Sequence, residues 1–124
     1  MVTGHLSSKE QDGVHVTTLQ GNVEVTDQNA MNAHMRSWLL SDSKVHVFDC
    51  TNVLEIKPSM YRYFVLYNQH LKSTSRTLFF LGLNLRLLQQ LRGEGLLSVV
   101  VPVKSLDEAK RRSVARAVVD VEFV

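Results

Sequence analysis

The hydrophobic residues of this chain switch between the spacing typical of strands and the spacing typical of helices. Strand-like runs occur at Gly13–Val25, Val45–Cys50, Thr77–Leu83 and Ser98–Val103. Helix-like runs follow them at Gln28–Leu40, Ser59–Leu71, Leu85–Arg92 and from Leu106 toward Ala117. The Gln20-Gly21-Asn22 turn signal divides the first run, which predicts an initial antiparallel pair. The alternation that follows predicts an α/β fold with one sheet of mostly parallel strands and helices packed against it.

Apolar side chains recur at spacings of three and four within the helical runs, and these stripes predict the core. The expected inward residues are Met31, Met35, Trp38 and Leu39 in the first helix, Tyr63, Phe64, Tyr67 and Leu71 in the second, and Leu85, Leu88 and Leu91 in the third. Side-chain caps mark the starts of three helices, at Thr26-Asp27, at Asn84 and in the Ser105-x-x-Glu108 capping box.

The length of 124 residues predicts a single domain, residues 1–124, with its core in about residues 13–110. Hydrophobic residues make up 44% and charged residues 21%, which are ordinary globular values. The tail Val118–Val124 alternates like a strand. We expect it to be either an extra strand, at a sheet edge or in a homodimer, or a loose terminus.

Charge and hydropathy narrow the choice of partners and location. The net charge of +2 is spread along the chain and does not indicate a nucleic-acid or anionic-membrane partner. The N-terminus lacks the apolar core of a signal peptide, and apolar runs such as Val99–Val103 are too short to cross a bilayer. These features predict a cytoplasmic protein without membrane insertion.

The sequence shows no pattern typical of an active site or a metal site. Cys50 is the only cysteine, lies in a predicted strand and is interpreted as a buried free thiol. The five histidines form no i, i+4 pair and no His-Glu-x-x-His motif. Gly93-Glu94-Gly95 has no third glycine and no Gly-Lys-Ser/Thr sequence after it, so we interpret it as the end of a helix. We therefore predict no enzyme activity, no metal and no cofactor.

The segment Val45–Met60 has a distinctive layout. A strand ends at Asp49, a short turn and a second apolar stretch follow, and the pattern stops at Lys57-Pro58. This layout resembles the central loop of the STAS family, whose founding members are the bacterial anti-sigma-factor antagonists. In that family, Asp-Ser-Ser/Thr-Gly begins eight residues after the strand's aspartate. Here the same count of eight from Asp49 arrives at Lys57, Pro58, Ser59 and Met60.

Three further segments strengthen the resemblance, which covers roughly Gly13 to Lys110. They are the turn Leu19–Asn22, the run Leu81–Leu91 followed by Gly93, Gly95 and Leu96, and the segment Ser105–Ala109, which is similar to the Ser-x-x-Glu-Ala start of the family's last helix. The resemblance implies a single STAS-like domain.

The resemblance also implies a function in bacterial signal transduction and transcription regulation by partner switching. Antagonists of the family bind an anti-sigma factor that is also a kinase, and this kinase phosphorylates the serine after the motif's aspartate. In this chain that position is Pro58, which has no hydroxyl. Ser59 matches the family's second Ser/Thr and is the fallback acceptor. We therefore predict a non-enzymatic interaction module without the usual phosphoacceptor.

The family's switch loop suggests where a partner docks. The predicted partner-binding residues are Glu55, Lys57, Pro58, Ser59, Met60, Tyr61 and Arg62. We expect exposed Met60 and Tyr61 to supply apolar contact, and Lys57 and Arg62 to supply cationic contact. The alternative for Lys57 is a solvated loop residue that points away. The expected partner is an anti-sigma factor with kinase activity or another signalling protein.

Two other functions remain open at this point. Related domains bind the ATPase of a lipid-trafficking ABC transporter, so the chain is alternatively an accessory subunit of such a complex. The third possibility is a domain that binds a small ligand or an anion near the Lys57 loop.

Overall fold

The computed structural model of the protein describes residues 2–3, 6–96 and 98–113. The strands are β1 (Val2–Thr3), β2 (Leu6–Gln11), β3 (Val14–Val25), β4 (Val45–Ile56), β5 (Thr77–Leu81) and β6 (Pro102–Val103). The helices are α1 (Gln28–Leu39), α2 (Tyr61–Ser73), α3 (Leu85–Gly93) and α4 (residues 106–113). A 3-10 turn, Pro58–Met60, directly precedes α2.

The six strands form one sheet in the order β1-β3-β4-β5-β6, with β2 also paired to β3. Strands β3 to β6 are parallel to their neighbours, whereas β1 and β2 run antiparallel to β3. Helices α1, α2 and α3 contribute to the larger core on one face, and α4 contributes Leu106 and Ala109 to the smaller core on the other. The predicted α/β fold with one mostly parallel sheet is confirmed.

The initial antiparallel pair differs from the prediction. β3 continues through Gly21 without a break, and its antiparallel partner is β2, which the sequence analysis missed. Gln11 pairs with Val14 across a two-residue turn, Asp12-Gly13, in which both residues have positive φ. Asp-Gly favours this turn type because its backbone twist matches that of the flanking strands. The residues that mark the hairpin turn are therefore Asp12-Gly13, and Gln20-Gly21-Asn22 does not form a turn between two strands.

Strand β4 is longer than predicted and does not end near Asp49. Between Asp49 and Asn52 it advances three residues while β3 advances two, from Thr18 to Gln20. A second irregularity lies farther along, where β4 advances from Val53 to Glu55 against a single step of β3. Each extra residue is a β-bulge, which bends the strand and shifts the alternation of its side chains. The buried residues after Phe48 are therefore spaced by three, at Cys50, Val53 and Ile56.

The last two strands are shorter than predicted. β5 ends at Leu81, and β6 consists of Pro102 and Val103 only. Val99 and Val100 are buried in a turn, where the N–H groups of both residues donate to the carbonyl of Leu96. Their apolar character reflects packing against the core and not pairing in the sheet. The predicted end of α4 near Ala117 and the tail Val118–Val124 lie outside the described residues.

The helical stripes agree with the prediction except at the start of α3. Phe64, Tyr67, Leu71, Met31, Trp38 and Leu91 are buried, while Met35, Leu39 and Leu88 are partly buried against the same core. Leu85 was expected to point inward but is 66% exposed, and Leu87 is buried instead. The Asn84 side chain caps the helix by accepting from the N–H of Leu87 at 2.8 Å. This cap orients the first turn so that Leu87 and Leu91, four residues apart, face the sheet.

A buried polar network lies where β3 and β4 begin. His46 is completely buried; its Nε2–H donates to the carbonyl of Ser43 at 3.1 Å, so its Nδ1 accepts from the Tyr67 hydroxyl. The ring of His15 lies 4.9 Å from that of His46 and bonds Glu10 at 3.0 Å through Nδ1. Burial lowers the pKa of His46 to about 4, and the nearby charges of His15 and Arg76 act in the same direction.

We expect this network to make the protein acid-sensitive. The pKa of His46 is lower in the fold than its ordinary value of 6.5, so the unfolded chain binds this proton first. The free energy of unfolding should therefore be unaffected by His46 above pH 6.5 and fall by up to about 3 kcal/mol as the pH drops toward 4. Urea denaturation at a series of pH values measures this slope.

Variants at the network separate the contribution of His46 from that of Glu10. Desolvation acts to raise the pKa of Glu10. Hydrogen bonds from Ser41, Ser43 and His15 outweigh it and lower this pKa to about 2. The ionised carboxylate of Glu10 therefore stabilises the fold above pH 4.5, and this contribution is lost only as the pH falls from 4.5 toward 2. His46→Gln should flatten the slope between pH 6.5 and 4, whereas Glu10→Gln should leave that slope in place. If the free energy of unfolding of His46→Gln falls as steeply between pH 6.5 and 4 as that of the unaltered chain, a group other than His46 causes the fall.

Candidate functional site

The loop that the sequence analysis singled out connects the end of β4 to the start of α2. The N–H of Lys57 donates to the carbonyl of Val23 at 2.9 Å, which ties the loop to the end of β3. Pro58 is the first residue of the 3-10 turn, a position where its missing N–H has no helical partner to lose. The N–H of Met60 closes the turn by donating to the carbonyl of Lys57 at 3.0 Å. The loop therefore has a defined backbone conformation.

Ser59 makes a second hydrogen bond between the same loop and β3, in addition to the bond from Lys57 to Val23. Its Oγ accepts a hydrogen bond from the N–H of Val25 at 2.8 Å. Both Ser59 and the neighbouring Pro58 are exposed. The hydroxyl of Ser59 thus has a structural role at the end of β3, in addition to being the only hydroxyl of the Lys57–Met60 segment.

Lys57 forms an ion pair within the loop. Its Nζ lies 3.1 Å from Oε1 of Glu55, and the two side chains are 40% and 46% exposed. An ion pair this open to solvent contributes little to stability. It does hold Lys57 beside the strand, so the cation is neither free in solvent nor turned toward the core.

Met60 and Tyr61 differ from the prediction that both are exposed apolar contacts. Met60 is completely buried in the main core, so its expected role as a contact residue is wrong. Tyr61 is partly buried, and its hydroxyl accepts from Nε2 of Gln90 at 2.8 Å. The same Nε2 donates to the carbonyl of Ile56 at 2.7 Å. Gln90 of α3 thereby links the end of β4 to the start of α2.

The structure adds two exposed leucines that the sequence analysis missed. Leu54 is 67% exposed and Leu85 is 66% exposed. The guanidinium of Arg86 donates to the carbonyl of Leu54, which places the start of α3 beside the end of β4. The bulges in β4 explain Leu54, because they turn it outward between buried Val53 and Ile56. Strict alternation along the strand does not reveal this.

These residues together define a surface that we call the loop face. It comprises Leu54, Glu55, Lys57, Pro58, Ser59, Tyr61, Arg62, Leu85 and Arg86. A shallow groove of about 300 Å³ continues it past Ser59 and Arg62 toward Val25 and Tyr63. The loop face presents two exposed leucines and the exposed Pro58 among three cations and one carboxylate.

The aspartate that begins the resemblance, Asp49, supports the first bulge of β4. Its Oδ1 accepts from the N–H of Thr51 at 3.0 Å and from the Thr51 hydroxyl at 2.6 Å. Thr51 in turn lies against Gly82, the residue that follows Leu81 of β5. Asp49 therefore supports the bulge at which β4 bends before it reaches the loop face.

Cys50 lies next to Asp49 but points into the core. Burial raises the pKa of its thiol, with a further contribution from the charge of Asp49, so the thiol stays protonated. Across residues 2–3, 6–96 and 98–113, no three His, Cys, Asp or Glu side chains are grouped to hold a metal ion. No helix within these ranges is long and apolar enough to cross a membrane.

Comparison with known proteins identifies the fold. No protein-family model and no characterised protein sequence matches the chain. Among solved structures, an anti-sigma factor antagonist from Mycobacterium paratuberculosis matches with a TM-score of 0.73 at 14% identity, over 88% of this chain and 92% of that chain. An anti-sigma-factor antagonist (STAS) domain protein from Planctomyces limnophilus matches with a TM-score of 0.72 at 11% identity, over 90% and 98% of the two chains.

A third match is the Bacillus cell fate determinant SpoIIAA in its phosphorylated form. Its TM-score is 0.63 at 11% identity, over 87% of this chain and 98% of that chain. The high coverage on both sides means that the likeness extends over the whole domain. The chain therefore has the STAS-domain fold, as the resemblance in its central segment predicted.

Proposed function

We propose that the protein is a non-enzymatic regulatory module that binds a signalling partner in the cytoplasm, in the manner of an anti-sigma-factor antagonist. The observation that carries the proposal is the loop face: it occupies the place that the resemblance assigns to partner contact, and its backbone is held in one conformation. An interface that is ordered before binding loses less conformational entropy when the partner docks.

The chemistry of the loop face supports a partner with an acidic surface. Lys57, Arg62 and Arg86 supply three positive charges, and Glu55 offsets one of them. Leu54 and Leu85 supply exposed apolar area beside these charges. An apolar centre flanked by cations suits a partner surface that combines an apolar pocket with carboxylates.

Control of this module by phosphorylation should differ from the usual serine switch. Pro58 has no hydroxyl, and the Oγ of Ser59 already accepts from the N–H of Val25. Incubation with a cognate kinase, followed by peptide mapping, should give no phosphate on Lys57-Pro58-Ser59. The variant Pro58→Ser restores a hydroxyl at the aligned position and should become an acceptor. Stoichiometric phosphate on Ser59 of the unaltered chain would instead place the switch one residue later.

The test of the proposed function is a charge reversal on the loop face. Lys57→Glu replaces the Lys57–Glu55 ion pair by two like charges on the surface offered to an acidic partner. We expect binding to weaken about tenfold at low salt, with a smaller loss at high salt. Tagged wild-type and variant chains are used for affinity purification from the source cell, and recovered proteins are quantified by mass spectrometry.

Two matched variants control this experiment. Lys9→Glu makes the same charge change on exposed β2, away from the loop face, and should leave recovery unchanged. Glu55→Gln frees Lys57 from its ion pair and should preserve or strengthen binding. Recovery of an anti-sigma factor or kinase that is lost only in Lys57→Glu supports the proposal. A permease and ATPase recovered in its place would favour the transport alternative, and equal recovery from Lys57→Glu and Lys9→Glu would exclude the loop face as the docking site.

A further inference from the structure

A second feature of interest lies at the end of the sheet opposite to the loop face. β4 begins one residue after Lys44 and ends one residue before Lys57, so these two lysines mark opposite ends of the same strand. An open cavity of about 480 Å³ lies at the Lys44 end, where β5 also begins. Its lining includes Lys44, Lys72 and Arg76, and no carboxylate among the described residues lines it. This volume falls in the range of small-molecule sites.

The three cations of this cavity keep their positive charge available. Lys44 and Lys72 are exposed and form no ion pair with any described carboxylate. Arg76 is held in place by uncharged groups: its Nε donates to Oγ1 of Thr74 at 2.8 Å and its Nη1 to the carbonyl of Ser41 at 2.7 Å. Nη1 also donates to the carbonyl of Leu39 at 3.3 Å. These bonds orient the guanidinium without neutralising it, and they leave Nη2 to donate to an oxyanion.

Asn68 gives an independent indication that the cavity receives a polar ligand. The residue is only 8% exposed and lines the cavity, yet its side-chain amide has no hydrogen-bond partner within the described part of the chain. No fully enclosed side-chain nitrogen or oxygen lacks a partner there, so the polar atoms of the Asn68 amide are accessible from outside, and the cavity is the opening that this residue lines. A buried amide is normally hydrogen-bonded, and here the cavity is the side from which a partner can approach.

The C-terminus of α2 points its carbonyl end toward this region and opposes the binding of an anion. A helix C-terminus carries about half an elementary negative charge. Three full positive charges from Lys44, Lys72 and Arg76 exceed it severalfold. The carboxylate of Glu10, which accepts from Ser41 and Ser43 on the far side of Arg76, offsets at most one of these charges. The balance of charge around the cavity therefore favours an anion.

We infer that this cavity binds a small phosphorylated molecule through its phosphoryl group. Arg76 and the two lysines would pair with the phosphoryl oxygens, and the amide N–H groups of Asn68 would donate to the same group. The cavity is larger than one phosphate ion, and Leu78 and Val101 give part of its lining an apolar character suited to the organic part of such a ligand. The site is separate from the Lys57 loop, and it does not depend on the proposed partner function.

The test is an NMR titration of the full-length ¹⁵N-labelled protein at constant ionic strength. The probes are inorganic phosphate, pyrophosphate, AMP and adenosine. The three phosphate-containing probes should produce saturable shift changes at the backbone amides of Asn68, Lys72 and Thr77, whereas adenosine should not. Tighter binding of AMP than of phosphate would support an organic phosphate as the ligand type, and equal binding would contradict it and indicate the free anion instead.

Charge-matched double variants make the result specific. Lys44→Gln with Lys72→Gln should weaken binding by about tenfold or more. Lys9→Gln with Lys104→Gln removes the same charge away from the cavity and should leave affinity unchanged. The dispersion of each spectrum reports whether the variant is folded. Shifts that do not saturate, that appear at the Lys57 loop instead, or that weaken equally in both double variants would overturn the inference.

Discussion

Replacing Leu87 with alanine should lower the free energy of unfolding by about 2–5 kcal/mol, because it leaves a cavity between α3 and the sheet. Leu87 is fully buried in the main core, beside Leu91 one turn later. Leu85→Ala is the matched control: it removes the same atoms two residues earlier, where the side chain is mostly in solvent. We expect that variant to change the free energy of unfolding by less than about 0.5 kcal/mol.

Urea denaturation followed by circular dichroism gives both values on one scale. The pair distinguishes two orientations of α3, since spacing alone assigned Leu85 and not Leu87 to the core. A larger loss in Leu85→Ala than in Leu87→Ala would mean that α3 is rotated so that Leu85, and not Leu87, faces the sheet. Leu85→Ala also serves as a loop-face variant, because it should weaken partner binding without affecting stability.

The example of α3 shows what the hydrophobic pattern determines and what it leaves open. The run contains four leucines in seven positions, so several stripes fit a spacing of three and four. The cap at Asn84 decides between them, because its bond to the N–H of Leu87 sets where the helix begins. The existence of the helix and its approximate bounds follow from the sequence. The rotation of the helix about its own axis, which decides which leucines face the sheet, depends on a local hydrogen bond.

Strand β4 shows a limit of another kind. Alternation predicted the segment up to Cys50 correctly and then failed, because two bulges change the spacing of buried residues from two to three. Thr51 and Asn52 consequently suggested a turn, although they lie within a strand. A bulge arises from pairing with β3 and is not visible in the pattern of β4 alone.

The candidate site was predicted in position but not in detail. Counting eight residues from Asp49 located the loop that precedes α2, and the absence of a hydroxyl at Pro58 is a property of the sequence itself. The burial of Met60, the bond from Val25 to Ser59 and the exposure of Leu54 all depend on neighbouring elements. These contacts join segments far apart in the chain, so they became apparent only with the fold.

Replacing Gly82 with alanine should be strongly destabilising for two separate reasons. Its φ of +79° lies in the left-handed region, which adds about 1–2 kcal/mol for a residue with a Cβ. That Cβ would also lie 2.5 Å from Oγ1 of Thr51 and 2.9 Å from its Cα and N, closer than real contacts allow. Forcing the backbone of Thr51 away adds about 1–3 kcal/mol more.

Gly13→Ala separates the two contributions. Gly13 has a φ of +80°, but no atom lies within 4 Å of where its Cβ would be. It should therefore lose only the conformational part, so that denaturation of Gly82→Ala shows the larger loss. The double variant Gly82→Ala with Thr51→Ala should recover little stability, because the clash with the backbone of Thr51 remains. Equal losses in Gly13→Ala and Gly82→Ala would mean that β4 yields at its bulge. A larger loss at Gly82 would mean that the bulge at Thr51, which Asp49 supports, is rigid.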